Sequence, residues 1–258
     1  MATGRTVSRW DRVYVGGYDI SGKARSVGPL SLEYAAAELT ALSNPVRGFL
    51  PGAANVNVGA VNSVFDNTAT TGIHALLSTA GDKRVMTVAR GIIAEPAMGD
   101  PTFAGEFTQG EYTTADDGGG LVVNIPFQGW AADAASLLFA SPWGVILNAA
   151  TARTAVNTST GYDRGVVSTA GGGFMAYHVT ASSGGAHTAT IKVQDSDTDV
   201  DGDYDDLSLA TTGVITVTAG VSGIVATLPT ATIRQYLRWQ VVLGTATSVT
   251  FVLSFHPG

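Results

Sequence analysis

The chain has 258 residues, 32 of them glycine, and carries a formal net charge of −7 with only 14% charged side chains. This acidic balance argues against a nucleic-acid-binding surface, which needs clustered basic residues. Cysteine is missing, which excludes disulfides and thiolate metal sites. The sequence predicts neither a membrane-spanning segment nor a signal peptide, so we expect a protein made and assembled in a cytoplasm, with no membrane partner.

The first half reads mainly as strands. Leu30, Leu32 and Tyr34 share one face of a strand that starts near Pro29, because apolar and polar residues alternate there. The same alternation predicts strands near residues 12–15, 55–60 and 121–127, and residues 83–90 are also predicted to form a strand. Residues 35–42 are predicted to form a loop with at most one turn, inside a long connection that leads to residues 47–52. Residues 95–111 are predicted to be irregular.

One helix is expected at about residues 68–80. Ile73, Leu76, Leu77 and Ala80 follow the spacing of a single apolar helix face, and Gly81 provides a stop signal.

The second half is predicted to be β throughout. Residues 131–164 read as a connector, which places a domain boundary at 150–165. Beyond it, short alternating strands with glycine turns are typical of a sandwich or jelly roll. The predicted fold is therefore mainly β. A sandwich or barrel with one helix, in residues 1–150, precedes a C-terminal β-sandwich, Ig-like or jelly-roll-like, in residues 165–258.

The sequence contains no catalytic constellation. The histidines are His74, His178, His187 and His256. None of them stands near a Gly-x-Ser-x-Gly segment, and neither triple-glycine run precedes a predicted helix. We therefore predict no catalytic residue, no cofactor and no enzymatic activity.

Two charged segments have alternative interpretations. Residues 195–206 form an acidic run. Counted from Asp197, its carboxylates fall almost at EF-hand spacing, but position 12 is Ser208 rather than glutamate. This run is either a looser calcium loop or a solvated connection, and we predict no metal site. Arg234, Tyr236 and Arg238 share one strand face, which is either a partner contact or an internal cross-strand ladder.

The first half, along roughly residues 10–130, resembles the major tail tube protein of long-tailed (siphovirus-like) bacteriophages. The matching features are the segment 13–22, the long connection to residues 48–52, the strand after it and the helix around residues 72–77. Residues 170–258 look like the added β-domain of similar phage proteins, through the segments 193–197 and 234–238.

This resemblance implies a structural virion protein of the phage tail, whose subunits form rings, usually of six, that stack into a tube for DNA ejection. It implies tape measure, tail terminator or baseplate proteins as partners, and genomic DNA that passes without specific binding. The long connection would lie against the adjacent ring. The predicted subunit-interface residues are Arg47, Phe49, Leu50, Pro51 and Trp10. A decoration or receptor-binding β-sandwich protein on capsid or tail is the alternative, and an enzyme is a distant third.

Overall fold

The computed structural model describes residues 8–38, 49–92, 94–129, 140–183 and 187–258, with the side chains of residues 8, 35–38 and 49–54 left out. Over these residues the fold is mainly β with one helix, as the sequence predicts. That helix, α1 (Ile73–Leu77), has 5 residues. In the described part of the chain no helix has the length and apolarity to span a membrane.

The first strands are β1 Asp11–Val15, β2 Tyr18–Asp19, β3 Ala24–Val27, β4 Leu30–Glu38, β5 Phe49–Val64, β6 Lys83–Arg90 and β7 Pro101–Gln109. The next are β8 Thr113–Asp116, β9 Leu121–Gln128, β10 Trp143–Arg153, β11 Asn157–Thr158, β12 Tyr162–Asp163, β13 Thr169–Ala170 and β14 Gly173–Ser182. The last are β15 His187–Ser196, β16 Asp205–Thr211, β17 Ile215–Val217, β18 Val221–Ala226, β19 Thr232–Ile233, β20 Tyr236–Leu243 and β21 Val249–Pro257.

An N-terminal sandwich packs β1, β6 and β7 against β3, β5 and β9, with α1 alongside. Val13, Val88 and Phe103 lie side by side in register across β1, β6 and β7. They share one buried cluster with Val58 and Phe127 of the opposite strands. The alternation of apolar residues along each strand therefore places one face of the sheet in this core.

A C-terminal sandwich packs β14 and β21 against β15 and β20. Met175 and Phe251 on one side share a buried cluster with Ile191, Val193 and Trp239 on the other. The sequence predicts the Ala189, Ile191 and Val193 face of β15, and all three residues are buried.

The two sandwiches are joined because one sheet runs through both. Strand β10 pairs with β7 along one edge and with β21 along the other. Residues 173–179 of β14 and 251–256 of β21 are all buried, so these strands are covered on both faces. Their second face packs against β1, β6 and β7 through mostly small and polar side chains. The described residues thus form four layers.

The predictions for two segments expected to lack strands are wrong. Residues 35–38 end strand β4, where Ala36 pairs with Pro51 and Ala37 with Leu50, while residues 39–42 lie outside the described part. Alanine has little intrinsic strand preference, so the strand conformation of these residues depends on pairing with the partner strand β5. Strand β7 occupies most of the passage predicted as irregular, with both Phe103 and Ala104 buried. Burial on both faces removes the alternation that reveals a strand.

Two other expectations need correction. The predicted connector contains β10, β11 and β12, and residues 130–139 are not described. The helix is shorter than predicted because Thr70 has a φ of 65°, which is not helical, and Asp66 instead forms a turn with the backbone of Thr68. The boundary at 150–165 stays a prediction; β10 extends into it, to Arg153, and pairs with β21 behind it.

Candidate functional site

A two-stranded ribbon extends from the N-terminal sandwich. Strands β4 and β5 run antiparallel from Leu30 opposite Val58 to Glu38 opposite Phe49. Strand β5 pairs with β9 only from Val58 onward, and β4 pairs with β5 alone. Residues 30–38 and 49–57, called the arm below, therefore have no further strand on either edge within the described residues.

The base of the arm is fixed in the core. Val56 and Val58 are buried, and Leu30 and Leu32 pack partly against the same cluster. Asn57 also accepts a hydrogen bond from the backbone N–H of Gly129, at 3.0 Å. The arm thus leaves the sandwich in a defined direction.

The two faces of the arm differ. Leu30, Leu32 and Tyr34 follow one face outward, and Tyr34 is 58% exposed although it continues an apolar row. The other face is polar and borders an open groove of about 710 Å³, lined in part by Ser31, Glu33, Asn55, Asn57 and Gln128. The alternation around Leu32 predicts these faces, but it does not reveal that Tyr34 lies beyond the core.

The predicted interface residues fall in different places. Phe49, Leu50 and Pro51 lie together in the far part of the arm, opposite residues 36–38, and their side chains are not described. Arg47 lies outside the described residues. Trp10 belongs to a short 3₁₀ turn next to the end of β6, where its carbonyl accepts from the Gly91 N–H. The structure does not place Trp10 in the arm.

The carboxylates of the acidic run, residues 195–206, accept hydrogen bonds from other groups of the same chain. Asp195 accepts from the Arg234 N–H, Asp199 from Tyr204, Asp201 from Arg238, Asp203 from Thr198, Asp205 from Arg234 and Asp206 from Lys192. Asp195 is buried, which raises the pKa of its carboxyl. No three histidine, cysteine or carboxylate side chains converge on a metal position in the described ranges.

In the row of Arg234, Tyr236 and Arg238, both arginines contact side chains of the same chain. The Arg238 guanidinium carbon lies 4.1 Å from the Tyr204 ring centroid, and its Nε donates to Gln194 at 2.8 Å. Arg234 donates to Asp205 at 2.9 Å. These contacts fit the internal-ladder interpretation.

Two histidines contact hydroxyl groups but cannot reach a substrate. His178 Nε2 lies 2.9 Å from Thr87 Oγ1, and His256 Nε2 lies 2.9 Å from Ser254 Oγ. All four residues are fully buried between the middle layers. Burial lowers the pKa of each histidine to about 3, so both are neutral at pH 7. The His178–Thr87 pair joins strands β14 and β6 of the two middle layers, whereas His256 and Ser254 both belong to β21.

No protein-family model matches this chain, and no curated protein matches it significantly. Among solved structures, it is similar to the SPP1 Dit protein, described as a paradigm of the hub adsorption apparatus in phages that infect Gram-positive bacteria. That similarity has a TM-score of 0.34 and 11% identity over 94% of this chain and 98% of the other. A second similarity, to a Bacillus thuringiensis Cry1Da tryptic core variant, has a TM-score of 0.21 and 9% identity over 92% of this chain and 53% of the other. Similarities this low do not identify a shared function.

Proposed function

We propose that this chain is a structural subunit of a bacteriophage tail that polymerises through its arm into stacked rings, six subunits to a ring, forming a tail tube. The observation that carries the proposal is the arm, whose two strands have no further strand on either edge within the described residues. An isolated two-stranded ribbon is marginally stable in water, and open strand edges are templates for another chain. Docking on a neighbouring copy would satisfy both the edges and the exposed ring of Tyr34.

The sequence resemblance supports the same assignment. In this proposal the phage DNA passes through the tube without specific binding, consistent with a net charge of −7. Tape measure and tail terminator or baseplate proteins would bind the ends of the tube. The protein works in the virion, has no enzymatic role, and its two sandwiches correspond to residues 1–150 and 165–258.

Negative-stain electron microscopy of the concentrated protein tests this function. We expect hollow polymers from the native chain. Tyr34→Ser and Leu50→Ser should shorten or abolish them, because both substitutions remove an apolar side chain from the arm. Val214→Ser is the matched control, since Val214 is 77% exposed on the other sandwich.

The melting temperature separates assembly from folding. Surface substitutions usually change stability by about 0.5 kcal/mol or less, so the unassembled arm variants should melt within about 2 °C of the native chain. If the native protein forms only compact monomers or trimers, the tube proposal fails and the decoration or receptor-binding alternative gains support. Loss of polymers together with a large loss of stability would mean that the arm serves folding.

A further inference from the structure

Arg153, at the end of β10, has a guanidinium group held in a fixed orientation. The guanidinium carbon lies 4.5 Å from the ring centroid of Trp239, which is only 2% exposed. One terminal nitrogen donates to Asn148 Oδ1 at 2.7 Å, and Asn148 is itself fixed by donating to the Phe251 carbonyl at 2.7 Å. The group therefore loses little conformational freedom when it forms a further hydrogen bond.

The charge of Arg153 is not balanced nearby. In the described part of the chain Arg153 forms no ion pair, whereas Arg12, Arg90, Arg234 and Arg238 each do. Its Nε–H is buried and has no acceptor among the described residues. Partial burial also lowers the pKa of this guanidinium, although it stays protonated near neutral pH. A fixed, partly desolvated cation of this kind gains from an anionic partner.

The surroundings supply hydroxyl groups. Arg153 lines an open depression of about 370 Å³ together with Thr158, Ser159 and Thr160. Ser159 Oγ accepts a hydrogen bond from the Trp239 backbone N–H at 3.1 Å, so its own O–H is left to donate.

We propose that this depression binds an oxyanion, the carboxylate or phosphate of a small ligand, through the terminal N–H donors of Arg153 that Asn148 leaves unused and the adjacent hydroxyl groups. A planar guanidinium matches either group with two parallel hydrogen bonds. The site lies beside Trp239 of the C-terminal sandwich. It does not depend on the function proposed for the arm.

Arg164 provides an internal control. It also forms no ion pair within the described residues, and burial lowers its pKa as well. Its guanidinium, however, donates to the carbonyls of Ile233 and Arg234, at 3.0 and 3.1 Å, and to Thr169 Oγ1 at 3.4 Å. Arg164 is therefore occupied by its own chain and should not respond to anions.

Nuclear magnetic resonance of the arginine Nε–H groups tests the proposal on dilute, unassembled protein. Sodium phosphate and sodium acetate are titrated in parallel, with sodium chloride holding the ionic strength constant. We expect the Arg153 resonance to shift with a midpoint on the order of 10 mM for at least one oxyanion, a strength within reach of a four- or five-atom ligand. The Arg164 resonance should stay in place, and comparing the two titrations tells carboxylate from phosphate. Arg153→Lys identifies the Arg153 resonance by its loss.

An Arg153 shift that never saturates, or equal shifts at Arg153 and Arg164, would overturn the proposal. Melting temperatures give a second measurement. At ten times the midpoint, the better oxyanion should raise the melting temperature of the native chain by about 3–5 °C more than that of Arg153→Gln. Equal rises in the two proteins would leave Arg153 with a purely structural role.

Discussion

At the scale of single residues, His178 joins the two middle layers. Its Nδ1 accepts from the Gly17 N–H at 3.2 Å, which leaves Nε2–H to donate to Thr87. The Tyr14 ring lies 5.8 Å away. Both ring nitrogens thus have partners only while the ring is neutral, because Nδ1 could not accept if it were protonated.

This arrangement predicts acid sensitivity. Burial lowers the pKa of His178 from 6.5 to about 3, so between these values the unfolded chain binds a proton that the folded chain does not. Stability therefore falls as pH falls below 6.5, by about 2 kcal/mol for this residue at pH 5. In urea unfolding, the free energy of unfolding of His178→Gln should fall less between pH 7 and pH 5 than that of the native chain.

Val252→Ala is the control for this experiment. Val252 is buried in the same inter-layer region but cannot titrate. We expect a lower stability for Val252→Ala, with the offset from the native chain constant across pH. If the free energy of unfolding of His178→Gln depends on pH as steeply as that of the native chain, His178 does not cause the acid sensitivity.

Gly17 and Gly220 bring two turns from different sandwiches together. Gly17 has a φ of 85°, and a Cβ there would lie 2.7 Å from Gly220 Cα. Gly17→Ala should cost about 2–5 kcal/mol in the free energy of unfolding, because strain from positive φ adds to overpacking. Gly118→Ala, with a φ of 63° and no neighbour within 4 Å, should cost only about 1–2 kcal/mol. Equal costs in urea unfolding would mean that the turns do not pack tightly.

At the scale of elements, the arm and its base should differ in hydrogen exchange. Residues 49–57 of β5 pair on one side only in the described structure, whereas residues 61–64 also pair with β9. In dilute protein we therefore expect fast exchange at arm amides whose N–H points away from the partner strand, and slow exchange at Val61 and Ser63. Assembly should protect the arm selectively. Polymers with an unprotected arm would contradict the proposal that the arm is the contact between subunits.

The sequence predicts some of these elements better than others. Strand β6 spans Lys83–Arg90 as expected, because it is regular and follows a clear turn. Strand β7 is not predicted because it begins at Pro101 and contains Gly105, which indicate irregular structure, and because burial on both faces leaves no alternation to offset that signal. The sequence places the interface candidates Phe49, Leu50 and Pro51 at the end of a long connection, yet their backbone is strand. Only the pairing with β4 reveals this, and pairing between distant segments is not encoded in local alternation.

At the scale of the whole molecule, the four layers depend on one another. Removing the C-terminal sandwich would expose the second face of β1, β6 and β7, including Tyr14 and Ala89. Removing the N-terminal sandwich would expose Phe174 and leave His178 without Thr87. The predicted boundary at 150–165 can therefore separate two sandwiches in sequence without separating two units that fold alone.

This dependence predicts one cooperative unfolding transition. Differential scanning calorimetry of the unassembled chain should give a single peak whose calorimetric and van't Hoff enthalpies agree, because neither sandwich keeps its buried faces without the other. A fragment of residues 165–258 should lack a cooperative transition, since it also loses β10, the partner of β21. A fragment of residues 140–258 restores β10 and is the matched comparison. Two resolved peaks would mean that the sandwiches are independent and that the middle layers contribute little to stability. Cooperative melting of the fragment 165–258 at the melting temperature of the full chain would mean the same.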